Sequence, residues 1–477
     1  LVGFHKVAGS FNFRSCRGKA KQDEKNKRVK GFAKHFAEFL LVLCAVPSLA
    51  LAGEARKFPL PPPLTPDSFI AFDPAKARIG QLLFYDKILS GNRNIACNTC
   101  HHADHGTSDG LSLGIGEGGI GISEDRTGGE GIDRIAKRIP RNAQALWNLG
   151  AREVNVLFHD GRLSKSDLFG NGFNSPAEEW LPRGLTNILS AQALFPMVAQ
   201  FEMAGNPKEN EIAGAVHDRI DAAWPILAKR VRTIPEYGKM FVEAFADVKT
   251  PEDVSIVEMG EALGAFMGLE WQSHDSPFDQ WLAGDQTALS QSALAGLELF
   301  FGKANCASCH SGALFTDQDF HALALPQFGP GRTRNFDPMP RDLGRMAESD
   351  ALEDAYRFRT PSLRNVALTG PYGHNGAYGD LEGIIRHHLN PAKALARWQS
   401  NEARLPPLDW FAKTDFLIRD DQRETARLAA RIDIEPVDLD EREISDLIAF
   451  LNALTGRTSL DGRLGTPQKV PSGLPID

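Results

Sequence analysis

A chain of 477 residues, 42% hydrophobic and 24% charged, can bury at least one large core, and its length favours two or three domains. That composition excludes a disordered chain, and a formal net charge of −8 argues against nucleic acid as a partner.

The first element is a leader, residues 1–52. Basic residues from Lys25 to Lys34 precede an apolar run, Phe36 to Leu49, that ends on the small-x-small triplet Ala50-Leu51-Ala52. This is the layout of an export signal cleaved before Gly53, and it places the protein in the periplasm. A run of about 14 residues interrupted by Glu38 falls short of the roughly 20 that span a bilayer. Cys44 follows Leu43 instead of a small residue, which argues against a lipid anchor. No Met precedes Met197, so translation is expected to begin at a non-ATG codon such as that of Val29. Removing the leader takes away ten Lys/Arg and three Asp/Glu, leaving 43 basic and 58 acidic residues and a formal charge of −15. Such a surface suits a basic docking patch on a protein partner.

A Pro-rich lead-in, Pro59 to Pro66, comes next, and then the first of two short motifs. Cys97-Asn98-Thr99-Cys100-His101 and Cys306-Ala307-Ser308-Cys309-His310 both read C-x-x-C-H, and they use every cysteine after the leader. In this pattern each thiol adds to a vinyl group of a c-type haem, and the following His is held beneath the iron as its proximal ligand. A zinc site shared by the two pairs, a thioredoxin-like redox pair and coincidence are the alternatives. Zinc does not require a His after each pair, and a thioredoxin motif should follow a strand in an α/β pattern.

Between the motifs, Gly106 to Gly131 contains Gly114-x-Gly116-x-x-Gly119, formally a dinucleotide fingerprint. No strand precedes it and glycines continue where a helix should start, so a mobile loop over the first haem is expected instead. A boundary is expected at Gly284-Asp285, before a helix that starts at Ser290, runs through Ala293 to Phe301 and delivers the second motif. Leu381, Ile384, Ile385, His388 and Leu389 fall at helical spacing after Gly379, with His387 at the edge of the stripe, and Ile444 to Leu454 reads as an amphipathic terminal helix. The fold expected is mainly α: two tandem cytochrome c-like domains, residues 53–285 and 286–477, each with one covalently bound haem.

Linked motifs then resemble the bacterial di-haem cytochrome c peroxidase and MauG family from about Phe72 to Thr455. They are Leu83-Phe84-Tyr85-Asp86 with Leu89-Ser90-Gly91-Asn92, Arg141-Asn142, Phe158-His159-Asp160-Gly161-Arg162, Phe195-Pro196 with Glu202-Met203, and the run Phe358-Arg359-Thr360-Pro361 through Pro371-Tyr372-Gly373-His374-Asn375-Gly376. The resemblance implies that the His101 haem meets hydrogen peroxide and that the His310 haem receives electrons. It implies Glu202, six residues after Pro196, as the group that moves the proton of bound peroxide; without it Glu202 would read as one more solvated carboxylate. Glu178 and Glu179 lack a Pro at that distance.

Relatives with a blocked first haem carry a His in the loop after the first motif, and Ile115 stands there in this chain. His102, His105 and Glu117 are the other residues weighed for that role, and the two histidines read better as surface residues. His159 stands where the family commonly has a Trp between the haems, with Phe158 or Tyr372 as aromatic neighbours. The resemblance also implies calcium held by the Asn142 side chain and the carbonyls of Thr369 and Pro371, and oxygen-only ligation suits a hard cation. The second ligand of the His310 haem is expected to be His388, in place of the Met or Tyr of relatives. A core His bonded to a carbonyl is the alternative reading, and Met339 and Met346 are rival ligands.

Three functions follow. The first is a peroxidase reducing hydrogen peroxide with electrons from a small cytochrome c or cupredoxin. The second is a MauG-like enzyme that oxidises Trp or Tyr of a partner protein, and the third is an electron carrier or redox sensor with both haems fully ligated. A homodimer is expected from the resemblance alone.

Overall fold

Helix α1 (Pro74–Phe84) opens on Asp73, whose carboxylate accepts the Ala75 N–H at 2.7 Å, and on Pro74 in its first turn. Its face of Ile79, Leu82, Leu83 and Phe84 is buried. Gly80 lies against helix α2 (Ile256–Glu270), where a Cβ would stand 1.9 Å from the Ala262 carbonyl oxygen. The same device recurs later in the chain: α3 (Gln291–Phe301), capped by Ser290, crosses α4 (Glu441–Asn452) at Gly296, whose Cβ would stand 1.9 Å from the Asp446 oxygen. In each pair a bare backbone lets two apolar helices touch, and the first of the two leads into a C-x-x-C-H motif.

In this computed structural model the residues described are 58–131, 134–333, 337–461 and 463–477, so the expected leader lies outside them. Lys57–Asp477 groups as one compact unit. Within it the α1/α2 pair builds a large core around Phe84, Phe266 and Trp271, and the α3/α4 pair a second around Phe278, Phe300, Phe315 and Phe450. The boundary expected at 285/286 assigns residues 463–477 to the second half in sequence. Their side chains Val470, Leu474 and Ile476 nevertheless join the first core. Buried Glu270, at the end of α2, holds this tail by accepting the N–H groups of Leu464 and Gly465 at 2.6 and 2.9 Å.

Strands are short, as a mainly helical chain implies. A three-stranded antiparallel ribbon joins β1 (Val156–Leu157), β2 (Leu163–Lys165) and β3 (Phe173–Asn174), and β4 (Phe320–His321) pairs with β5 (Phe358–Arg359) so that Phe320 opposes Arg359. No helix of the described residues is long and apolar enough to cross a membrane. The glycine-rich stretch is neither a phosphate loop nor free. Leu111, Leu113 and Ile115 are buried, and the Arg126 guanidinium donates to the carbonyls of Ile115 and Gly116 at 2.6 and 2.8 Å. These bonds anchor the stretch at Ile115 and Gly116, where its carbonyls are satisfied from within.

Candidate haem centres and peroxidatic site

Both proximal histidines are prepared in the same way. His101 Nδ1 pairs with the Thr107 carbonyl at 2.9 Å and His310 Nδ1 with that of Phe315 at 3.1 Å. The acceptor residues adopt left-handed backbone, φ 67° and 55°, which turns each carbonyl back onto its ring. With Nδ1 engaged, Nε2 is the nitrogen left for a metal. Burial lowers both pKa values, that of His310 to about 4, so each imidazole is neutral as a ligand must be. Burial also pushes the Cys97, Cys100 and Cys306 thiols up to about 12. A shared four-cysteine zinc site is excluded: among the described residues the one metal-type cluster is Cys309, Asp317 and His321, and Cys309 is an attachment cysteine.

A cavity of about 740 Å³ opens beside the second motif, walled by Cys306, Cys309, His310, His388 and the run from Phe358 to His374. His388 sits on helix α5 of the site (Leu381–Leu389), which Asp380 caps, and its Nδ1 pairs with the Ile384 carbonyl at 2.8 Å. Its ring centre is 6.4 Å from that of His310. Two imidazoles on opposite sides of one ion, with metal–nitrogen bonds of roughly 2.0–2.1 Å, have centres about 6.3 Å apart. The stripe of Leu381, Ile384, Ile385, His388 and Leu389 thus forms a cavity wall. His387 is the closed neighbour: Tyr378 Oη meets its Nδ1 at 2.8 Å and the Leu323 carbonyl its Nε2 at 2.7 Å, leaving no nitrogen for iron. Neither Met339 nor Met346 lines the cavity.

The chemistry of this wall fits a haem. It is largely apolar, yet Gln144 (both Nε2 and Oε1), His374 Nδ1 and Arg364 Nη2 are buried on it without partners. Such orphans are costly unless a polar ligand meets them.

Glu202 lies in one π-helical turn, Gln200–Ala204, directly after the Pro196 turn. Turns of this kind recur at functional sites. Burial raises its pKa, while Arg162 and Arg332 oppose the rise. Its charge is one of the smaller causes, after burial, that raise the Cys100 thiol. The stretch that touches this turn carries no imidazole: Gly116 abuts the Phe201 carbonyl, and the Glu117 N–H donates to the Glu202 carbonyl at 3.0 Å. Ile115 packs with Leu111, Ile135 and Leu408. Glu117 accepts from Asn92 and Asn94, and Glu178 and Glu179 are exposed.

Asp160, fully buried, receives Arg141, Arg332 and Arg162 at 2.7, 2.9 and 3.1 Å, and these three cations hold its carboxyl far below the usual range. Arg141 also reaches Asp342 at 2.7 Å. Around this hub lie His159, whose Nε2 pairs with the Asn142 carbonyl at 3.2 Å, and His374, stacked on Phe358 with centres 3.5 Å apart. Burial keeps both imidazoles neutral, at about 4 and about 3. Asn142, Thr369 and Pro371 line the same cavity, and Asn142 Oδ1 and the other two residues' carbonyl oxygens accept no hydrogen bond from the described residues.

The chain thus carries two C-x-x-C-H motifs, a half-buried carboxyl at Glu202 and an imidazole, His388, facing His310. The family described as di-haem cytochrome c peroxidase matches residues 74–287. Over those residues the chain resembles that family. It is 28% identical over 403 residues to the methylamine utilization protein MauG of Methylorubrum extorquens, covering 84% of this chain and 82% of that one. It is 29% identical over 436 residues to the cytochrome-c peroxidase IdrP1 of Denitromonas iodatirespirans, covering 87% and 90%. The crystal structure of a MauG-like protein associated with microbial copper homeostasis superposes with a TM-score of 0.53 at 24% identity, over 86% of this chain and 96% of that one, which shows a shared fold. Gln144, unpartnered on the cavity wall, lies in no motif, so no local pattern in the sequence marks it.

Proposed function

We propose that this di-haem peroxidase reduces hydrogen peroxide to water in the periplasm, with electrons from a small cytochrome c or cupredoxin. The observation that carries the reading is Glu202, a half-buried carboxyl on a turn whose carbonyl accepts the Glu117 N–H from the stretch after the first haem motif. Cys97 and Cys100 would tether one haem over His101, and Cys306 and Cys309 the other between His310 and His388. When bound, the haems supply the redox equivalents and the iron that meets peroxide.

The chain's own residues then divide the work. Glu202, once ionised, takes the proton from the near oxygen of peroxide and hands it to the leaving oxygen. Arg162 and Arg332 favour its ionised form against the desolvation that opposes it. Neutral His159, with Phe358 and His374 beside it, fills the layer between the two sites that family members commonly occupy with a Trp. An imidazole is harder to oxidise than an indole, so this layer serves as a tunnelling medium.

Asn142, Thr369 and Pro371 would hold calcium through oxygen atoms alone. The two cytochrome c-like halves, the leader and a homodimer belong to the same proposal. The test is rapid peroxide-dependent oxidation of a reduced small redox protein by the haem-loaded enzyme without prior reduction. Peroxide consumption only after one-electron reduction would overturn the open first haem. Similarity to MauG, with Ile115 in place of a blocking His, favours oxidation of Trp or Tyr on a partner protein as the second reading.

A further inference from the structure

Most buried arginines of this protein face carboxylates: Arg138 meets Asp415 at 3.0 Å, Arg141 meets Asp160 and Asp342 at 2.7 Å, and Arg364 meets Asp279 at 2.7 Å. Arg126 spends its N–H groups on the carbonyls of Ile115, Gly116 and Gly121. Arg359, half-buried on a cavity wall, differs from all of these. Its Nε donates to the Phe158 carbonyl and its Nη1 to that of Thr360, both at 3.1 Å, and neither acceptor carries a charge. Its backbone is clamped from two sides, by pairing with Phe320 and by an N–H bond to the His159 carbonyl at 2.8 Å. It lines the cavity that holds Cys306, Cys309, His310 and His388.

Burial lowers the Arg359 pKa only to about 10, so it remains a cation at neutral pH. A desolvated cation persists where an anion meets it. The nearby acids are already matched, Asp433 with Arg357 at 3.3 Å and Asp317 with His321 at 2.9 Å. The unpartnered Gln144 amide and Arg364 Nη2 look into the same space. A haem brings two carboxylates of its own.

We propose that Arg359 is the counter-ion of a propionate of the haem bound at His310, and that its charge sets how readily that haem accepts an electron. The proposal rests on the reading of this cavity as a haem site. A carboxylate near the iron stabilises the ferric state, and a guanidinium paired with it removes that bias. Loss of the cation should therefore make the haem harder to reduce. Arg359 is a positioning and tuning residue here, and it takes no part in proton transfer.

The test is spectroelectrochemical titration of the haem-loaded protein, with haem content measured by pyridine haemochrome. Arg359→Gln should lower the reduction equilibrium of the low-spin haem about tenfold or more, which is 59 mV for one electron. Arg359→Lys should recover most of that loss, because it restores the charge without the guanidinium's shape. An unchanged midpoint in the Gln variant, or a Lys variant as low as the Gln one, overturns the proposal. If the Gln variant loses its low-spin signal, the Lys variant decides: a native signal with a midpoint within about threefold of wild type supports it, and a tenfold fall overturns it. A wild-type protein with one haem in place of two refutes the haem reading of the cavity instead.

Discussion

Glu202 and His388 are the residues on which the proposed function turns, and each combines a motif position with an environment. For Glu202 the environment is burial, which raises its pKa above the ordinary carboxylate range. Because the ionised form must accept the peroxide proton, kcat/KM for peroxide should fall as pH drops through that raised pKa, at higher pH than an exposed Glu would give. Glu202→Gln should cost about 10²-fold or more in turnover and abolish this acid limb, with both haems retained. Steady-state rates across pH, beside haem content, check both. His388 is read by spectroscopy. Its Nδ1 is committed to Ile384, so Nε2 is its only route to iron. Electron paramagnetic resonance of His388→Gly should show the low-spin signal of the His310 haem lost, and near-infrared spectra of the wild type should lack a Met-to-iron band. His387→Ala should keep the signal and lose packing, because both of its nitrogens are already bonded.

At the scale of elements, the two helix pairs depend on glycine for close approach, not for backbone freedom. Gly296 faces backbone, the Asp446 carbonyl, so an added methyl cannot be relieved by a side-chain rotation. Gly296→Ala should lower stability by about 1–3 kcal/mol as α3 and α4 are forced apart, outweighing the gain in helix propensity. Thermal unfolding of the haem-loaded protein measures this. The helix spacing around Ile444 and after Gly379 was legible in sequence because one face is apolar, and Ser290 and Asp380 mark helix starts by capping. In the glycine-rich stretch glycine content signals freedom, while the Arg126 bonds that anchor it at Ile115 and Gly116 join residues ten or more apart.

At the scale of the whole molecule, the chain returns to its first core at the end. Glu270 anchors that return through backbone N–H groups, and the Ser472 hydroxyl donates to buried Asp86 at 2.6 Å. Glu270→Ala should therefore loosen residues 463–477, seen as faster amide exchange confined to that segment, and cost about 1–3 kcal/mol through unsatisfied buried groups. The proposed calcium would act at the same scale, since Asn142 and Thr369 come from distant parts of the chain. Chelation with EGTA should slow electron transfer between the haems in stopped-flow measurements while leaving the low-spin spectrum of the His310 haem in place.

The sequence by itself determined the haem chemistry, because C-x-x-C-H is a local device whose five residues act together wherever they fold. It also determined the helical class, through apolar spacing, and the candidate status of Glu202 and His388, through motif distance. Only the tertiary structure decided which of the adjacent His387 and His388 keeps a free nitrogen. It alone placed the tail on the first core and left Arg359 without a carboxylate in a cavity wall. The reason is physical: a hydrogen-bond partner, a desolvated charge or a cavity is defined by residues distant in sequence, and no local pattern encodes them.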